Sequence, residues 1–269
     1  MNFTLTTLGT ASAMPVVGRN QSAQVLEVHG RLFLIDCGEG TQQKLREAKK
    51  SFIKIEAIFI SHIHGDHIFG LFGLLSTMGM YGRTAKLPVY GPKALGGILK
   101  FFLSYFGEGL SFEIEYHEVP SDLSVIHNSK FVKVSSFPLN HQIDCFGYRF
   151  DAVRGPKTPE DAHLPSYAYC SDTAPFDAES DYVRGVDVLF HEATYPSEFS
   201  DKAVEHYHST SLDAASCALR CGAGALIIGH YSSRFRDTDI YLEECRSIFR
   251  ESYAANDLDV FEIPYISRP

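Results

Sequence analysis

The sequence contains no long apolar run. No stretch is long and apolar enough to cross a bilayer, and residues 1–8 have neither the basic start nor the apolar stretch of a secretory signal. Internal repeats and low-complexity tracts are also missing. These absences predict a soluble, cytoplasmic protein with no membrane partner and no long disordered part.

An excess of positive charge is missing as well. The formal net charge is −9, which argues against broad, non-specific binding of nucleic acid, because such binding depends on cationic contacts to phosphate. A local positive site is still compatible with this charge. Two divalent metal ions, for example, would place a strong positive charge where a phosphodiester would lie.

The six cysteines form no Cys-x-x-Cys pair. In a chain of this length, scattered cysteines are more typical of a reduced core than of a disulfide framework. Cys217 and Cys221 are four residues apart in a predicted helix and could share a metal ion, but helix packing is the favoured interpretation.

The 269 residues, 45% of them hydrophobic, are enough for a substantial core, and we expect one layered α/β domain over residues 1–269. The predicted strands are Phe3–Leu8, Gln24–His29, Arg31–Asp36, Ile55–Ile60, Leu87–Tyr90, Phe112–His117, Phe131–Phe137, Phe146–Asp151, Tyr167–Cys170, Val186–Phe190, Ala225–Gly229 and Val260–Ile263. The predicted helices are Gln42–Lys50, Asp66–Tyr81, Lys93–Phe106, Ser211–Cys221 and Ile240–Arg250. The aromatic residues 101, 102, 105 and 106 are expected in the core rather than in a base-stacking platform.

Residues 61–70, Ser-His-Ile-His-Gly-Asp-His-Ile-Phe-Gly, place three imidazoles and a carboxylate within six positions directly after a predicted strand. In an extended backbone His62 and His64 point the same way and can grip one metal ion, whereas Asp66 and His67 begin the next turn and face a neighbouring point. Solvated loop histidines would explain a single His-x-His pair. Because imidazole and carboxylate together suit zinc, we favour a loop that serves two metal ions.

Other polar residues follow apolar runs in the same way. His141, Asp172 and His230 each come one or two residues after such a run, and strand ends along one edge of a layered α/β fold are where such proteins usually place their chemistry. Each residue alone is weak support, but together they complete a two-metal ligand set. Asp36 also ends a strand and could cap a helix, shape a turn, or fix a metal ligand.

The pattern His62-x-His64-x-Asp66-His67, followed by His141, Asp172 and His230, resembles the five-motif signature of the metallo-β-lactamase superfamily. The resemblance covers essentially the whole chain and implies a four-layer αββα sandwich. Within the superfamily, four stretches resemble RNase Z, the tRNA 3′-processing endoribonuclease family: residues 34–42 (Leu-Ile-Asp-Cys-Gly-Glu-Gly-Thr-Gln), 190–194 (Phe-His-Glu-Ala-Thr), 208–210 (His-Ser-Thr) and 229–235 (Gly-His-Tyr-Ser-Ser-Arg-Phe).

This resemblance implies a ligand set for two zinc ions, which Mn²⁺ or iron could replace. His62, His64 and His141 would hold the first ion, Asp66, His67 and His230 would hold the second, and Asp172 would bridge the two. The resemblance also suggests a homodimer.

The same resemblance implies hydrolysis of a phosphodiester by a hydroxide that bridges the two ions. Asp66 would accept a proton from the attacking water or orient it. His208 would protonate the departing 3′-oxygen, and Glu192 would hold the other nitrogen of its ring. Arg234 could contact substrate phosphate or simply be exposed, and the roles of His191 and His206 stay open.

The sequence departs from the family between residues 150 and 166. Short-form RNase Z enzymes carry here a long insertion that forms a flexible arm and clamps the tRNA elbow, whereas this stretch is too short and too acidic to do so.

Two substrate classes remain. The protein could still cleave precursor tRNA and bind it through the basic run Lys44, Arg46, Lys49, Lys50 and Lys54, although such a run is more often a solvated helix face. The alternative is a phosphodiesterase for small or cyclic nucleotide diesters. A non-catalytic RNA-binding module is disfavoured, because it would predict lost ligands or a lost proton donor.

Overall fold

Two β-sheets lie at the centre of the molecule. The computed structural model describes residues 3–156 and 158–263, and within them each sheet has seven strands, numbered here in chain order. One sheet contains β1 Phe3–Gly9, β2 Ala23–Val28, β3 Arg31–Ile35, β4 Ile55–Phe59, β5 Leu87–Gly91, β6 Ile114–Glu118 and β14 Val260–Glu262. The other contains β7 Ser124–Asn128, β8 Val132–Pro138, β9 Phe146–Ala152, β10 Ser166–Cys170, β11 Val188–Glu192, β12 Ala225–Gly229 and β13 Ser252–Ala254.

Helices cover the outer faces of both sheets. In the described part of the chain they are α1 Thr41–Glu47, α2 Gly65–Ile68, α3 Leu71–Met80, α4 Lys93–Phe106, α5 Glu179–Tyr182, α6 Ser200–Glu205, α7 Ser211–Cys221 and α8 Asp239–Ile248. Short 3₁₀ turns lie at Phe52–Lys54 and Ser197–Phe199. None of the helices described is long and apolar enough to span a membrane.

Three apolar cores separate four layers. Side chains from the facing sides of both sheets, such as Phe59 and Tyr148, form the central core. The alternate residue Ile58 faces the opposite way and packs under α3 and α4. Leu189 and Ile228 of the second sheet pack under α7 and α8. The order helix, sheet, sheet, helix confirms the predicted αββα sandwich.

Parallel pairing places the carboxyl ends of several strands, which the predicted metal-binding residues follow, at the same edge. Strands β3, β4, β5 and β6 are parallel in the first sheet, and β10, β11, β12 and β13 are parallel in the second. The carboxyl ends of parallel neighbours lie at the same edge of a sheet. Residues that follow these strands are therefore brought together, although they are far apart in sequence.

The predicted helix Asp66–Tyr81 is two helices, α2 and α3. The Gly70 N–H donates to the Cys37 carbonyl at 2.9 Å, so it is not bonded within a continuous helix. A Cβ at this position would lie 2.0 Å from the Gly38 carbonyl oxygen, which is why only glycine fits. The single turn of α2, carrying Asp66 and His67, is thus separated from the longer helix behind it.

The expected burial of the α4 aromatics is correct only for Phe102. Phe101, Tyr105 and Phe106 are exposed, at 64%, 70% and 63%, because they lie on the face of α4 that points away from the sheet. The cysteine prediction is confirmed, since all six are buried and free. The short strands β7 and β13, the short helices α5 and α6, and the two 3₁₀ turns were not predicted.

Candidate metal centre

The predicted site residues converge at the shared edge of the two sheets. His62 and His64 follow β4, and Asp66 and His67 lie in α2. From the second sheet come His141 after β8, Asp172 after β10, Glu192 at the end of β11 and His230 after β12. The N–H of Phe146 donates to the Ser61 carbonyl at 3.0 Å, so this edge is also fixed by a bond between the two sheets.

One group of side chains contains His62, His64, His141 and Asp172, whose potential ligand atoms all lie within 4.8 Å of one another. His62 Nε2 is 3.0 Å from His64 Nδ1, and His141 Nε2 is 3.3 Å from the same atom. Asp172 Oδ2 lies 3.6 Å from His62 Nε2. These four side chains could hold one metal ion.

A second group contains Asp66, His67, Asp172 and His230, again within 4.8 Å. Asp172 Oδ1 is 3.4 Å from His67 Nε2 and 3.2 Å from His230 Nε2. Asp66 Oδ2 is 3.4 Å from both of these nitrogens. Asp172 therefore belongs to both groups, with one carboxylate oxygen toward each.

The residues present fit a pair of cations. His67 Nε2 and Asp172 Oδ1 are buried and have no hydrogen-bond partner, although buried polar atoms are almost always paired. Burial holds the pKa of His62 well below its usual value, which favours the neutral ring that binds metal. Imidazole nitrogens and carboxylate oxygens are the donors of dinuclear hydrolase centres. The residues present thus fit a dinuclear metal site.

Asp36 orients the candidate ligand His67 through a hydrogen bond to the ring nitrogen that faces away from the site. Its carboxylate is fully buried and accepts hydrogen bonds from His67 Nδ1 at 2.8 Å, from Tyr169 Oη at 2.7 Å, and from the Ser61 N–H and hydroxyl at 2.7 and 2.9 Å. The bond to Nδ1–H leaves His67 Nε2 to face the site. Asp36 does not cap α1, whose N-cap is Gly40. Sequence reasoning missed Tyr169 and Ser61, although Ser61 adjoins the histidine cluster.

His208 and Glu192 form a second polar unit at the rim. His208 Nδ1 lies 2.9 Å from Glu192 Oε1, and the fully buried Glu192 carboxylate also accepts the N–H groups of Thr173, Thr194 and Ser209 at 3.1, 2.9 and 2.9 Å. Burial of the ring disfavours its charge, but the neighbouring Glu192 carboxylate outweighs this and raises the pKa of His208 to about 9. The Glu192 carboxylate therefore favours the charged imidazolium form of His208.

Thr194 was also missed in the sequence. Its hydroxyl lies 2.9 Å from His230 Nδ1 and 2.8 Å from Glu192 Oε2, so it links a metal-site histidine to the carboxylate behind His208. The only sequence signal was its place in the His-Glu-Ala-Thr stretch, two residues after Glu192.

The remaining predicted residues have different surroundings. Arg234 and His206 line the site pocket of about 480 Å³ together with His64, Asp66 and His208. His191 does not face the pocket: it is buried, and its Nε2 lies 2.8 Å from Glu179 Oε1. The Glu179 carboxylate raises the pKa of His191 to about 9, against the effect of burial, so the two form a buried ion pair.

Fold and site together define a metallo-β-lactamase-type hydrolase, and residues 31–231 match the beta-lactamase superfamily domain. The chain is 36% identical to the ribonuclease Z of Porphyromonas gingivalis, with 95% of this chain and 97% of that protein covered. For the ribonuclease Z of Cytophaga hutchinsonii the identity is 39%, with coverage of 98% and 97%. The crystal structure of human tRNase Z, short form, superposes with a TM-score of 0.82 at 30% identity and covers 97% and 99% of the two chains. The chain belongs to the ribonuclease Z family and is a metal-dependent hydrolase.

The two bacterial relatives are longer than this chain. The alignment with the Porphyromonas gingivalis protein spans 295 positions while covering 95% of this chain, so about 40 of its positions have no counterpart among the 269 residues. In this structure β9 and β10 are joined only by residues 153–165.

Proposed function

We propose that the protein is a cytoplasmic endoribonuclease that removes 3′ trailers from precursor tRNA. The observation that carries this proposal is the His208–Glu192 pair beside the two ligand groups, because hydrolysis of an RNA diester needs a proton for a poor leaving group. The relatives named ribonuclease Z support the same substrate class.

In this proposal the ligand groups hold two zinc ions. His62, His64 and His141 would hold one, Asp66, His67 and His230 would hold the other, and Asp172 would contribute to both. The donor set suits zinc and also accommodates Mn²⁺ or iron. When bound, the ions activate a water near neutral pH and neutralise charge that develops on the phosphoryl oxygens.

Two protein side chains accept and donate protons during the reaction. Asp66 accepts a proton from the attacking water or orients it toward phosphorus. As the bond between phosphorus and the 3′-oxygen breaks, its electron pair leaves with the oxygen, which takes the proton of His208 Nε2. Glu192 holds Nδ1 and favours the charged ring before transfer, and Arg234 binds a substrate phosphate from the pocket wall.

The proposal is tested with purified protein, metal analysis and a panel of substrates. We expect about two zinc ions per chain, hydrolysis of an aryl phosphodiester, and cleavage of a 3′-extended precursor tRNA at its 3′ side. The Asp66→Ala variant should lose all hydrolysis. Unchanged aryl diester hydrolysis in that variant would contradict a metal-centred mechanism.

The alternative substrate class is small or cyclic nucleotide diesters. The short 153–165 connection favours it, because no extended arm is present there to hold a tRNA. Two members of the basic run already lie beside carboxylates: Lys50 Nζ is 2.7 Å from Glu27, and Lys44 Nζ is 3.2 Å from Glu47. Cyclic mononucleotides and dinucleotides in the same panel separate the two classes directly.

We also propose that residues 1–269 form one domain and that the protein is a homodimer. The dimer proposal is supported by the exposed residues Phe101 and Phe106 of α4, which line an apolar pocket of about 470 Å³ with Phe72 and Ile98. Contiguous apolar surfaces of this kind mark protein–protein contacts.

A further inference from the structure

The helix α6 ends in a turn whose geometry normally requires glycine. The N–H of His208 donates to the Ala203 carbonyl at 2.8 Å, and the N–H of Tyr207 donates to the Val204 carbonyl at 3.3 Å. These bonds form a Schellman cap, in which the residue at the position of Tyr207 has a left-handed backbone. Tyr207 has φ +57°, a conformation that is costly for a residue with a Cβ.

This turn directs one backbone carbonyl at a metal-site histidine. His141 Nδ1 lies 3.0 Å from the Tyr207 carbonyl oxygen, so the ring donates Nδ1–H to it and presents Nε2 to the group formed with His64 and Asp172. A partner on the far nitrogen fixes both the tautomer and the orientation of a ligating histidine.

The same turn places the proton donor. His208 is the next residue, and its own Nδ1 bonds Glu192 at 2.9 Å. The rings of His141 and His208 have centroids 5.5 Å apart. One left-handed residue therefore sets the position of a metal ligand through its carbonyl and of the proton donor through its chain direction.

We propose that Tyr207 is a positioning residue whose left-handed backbone couples the first metal site, through His141, to His208. The coupling rests on the proposed roles of these two histidines. It depends on backbone conformation and not on the tyrosine ring, and this makes it testable with side chains of matched size.

The test compares Tyr207→Val with Tyr207→Asn. Both variants remove the ring and have side chains of similar size, but asparagine tolerates a left-handed backbone and a β-branched residue does not. In Tyr207→Val, competition with a chelator should show that the site containing His141 binds zinc about 10-fold more weakly or worse. In Tyr207→Asn the loss of zinc affinity should be clearly smaller. Equal zinc affinities in the two variants would overturn the proposal.

A second readout addresses His208. At saturating zinc, Tyr207→Val should lower cleavage of RNA more than cleavage of bis(4-nitrophenyl) phosphate, whose good leaving group needs no proton. His208→Ala should show the same selective loss. Loss of both activities in equal proportion would contradict coupling to the proton donor. If wild-type protein cleaves no RNA, the proposed substrate is wrong, and the zinc affinities still decide the role of Tyr207.

If circular dichroism shows that Tyr207→Val does not fold, Tyr207→Ala replaces it. A zinc affinity of Tyr207→Ala equal to that of Tyr207→Asn would then refute the proposal.

Discussion

At the residue scale, the site depends on groups that fix the ligands and the proton donor. Residue types and spacing were enough to predict the seven side chains that the structure brings together. The groups behind them were harder to predict, because Tyr169 and Thr194 become neighbours of the site only when β10 and β11 pair in parallel. The Tyr207 carbonyl could not be predicted at all, since every residue has one and only the backbone angle directs it at His141.

Replacing Glu192 by glutamine should shift the pH dependence of RNA cleavage. Burial lowers the pKa of His208, but the charges of Glu192, Asp172 and Asp66 outweigh this and raise it to about 9. The donor therefore stays protonated, and cleavage is retained, up to an alkaline limit near or below pH 9. Bound cations lower this limit because they disfavour the imidazolium. In Glu192→Gln the limit should move toward pH 6.5, as measured by a pH–rate profile.

The control for this variant is aryl diester hydrolysis, which should keep its pH profile because the leaving group needs no proton. An unchanged alkaline limit for RNA would show that His208 is not the donor or that Glu192 does not hold its charge.

Replacing Asp36 by asparagine should weaken metal binding without touching a ligand directly. The amide keeps the size of the carboxylate but loses an acceptor for His67 Nδ1 and Tyr169 Oη, and loss of such a partner typically costs 10–100-fold in metal affinity. Calorimetric zinc titration measures this. Tyr169→Phe removes a single donor and should have a smaller effect, so the reverse order of the two variants would argue against this role of Asp36.

At the element scale, long apolar runs were predicted well and junctions were not. The strands that deliver the ligands follow from their composition. The break between α2 and α3 does not, because it arises from the Gly70 N–H bond to Cys37, thirty-three residues away in sequence. The strand Ser252–Ala254 has too few residues for any periodicity to be visible, and, unlike the equally short Val260–Glu262, it was not predicted.

The surroundings of Gly70, at the α2–α3 junction, and of Gly97, in α4, predict opposite effects for their substitution by alanine. Gly70→Ala should destabilise the protein by about 1–3 kcal/mol or more, because the added Cβ meets the Gly38 carbonyl oxygen. Gly97→Ala, in α4 with no atom within 4 Å of the added Cβ, should stabilise it by about 0.5–1 kcal/mol. Denaturant unfolding measures both, and a Gly70→Ala protein as stable as wild type would refute the packing argument.

At the scale of the whole molecule, the exposed face of α4 predicts the state of association. Phe101→Glu places a charge in this face and should convert the proposed dimer to monomer in sedimentation velocity experiments. Leu219→Glu, at an exposed position of α7, is the matched control and should stay dimeric. A dimer that tolerates Phe101→Glu would place its interface elsewhere.

The position of the ligands gives the two sheets a common anchor. Four of the candidate ligands follow a strand of the first sheet, and His141, Asp172 and His230 follow strands of the second. A pair of ions held by all seven candidate ligands would cross-link residues up to 168 positions apart. At this edge of the sheets it would restrain the chain much as a disulfide bond does. Slow release of the ions would then govern how readily the two halves of the sandwich separate there, and resistance to unfolding would be a property of the metal as much as of the core.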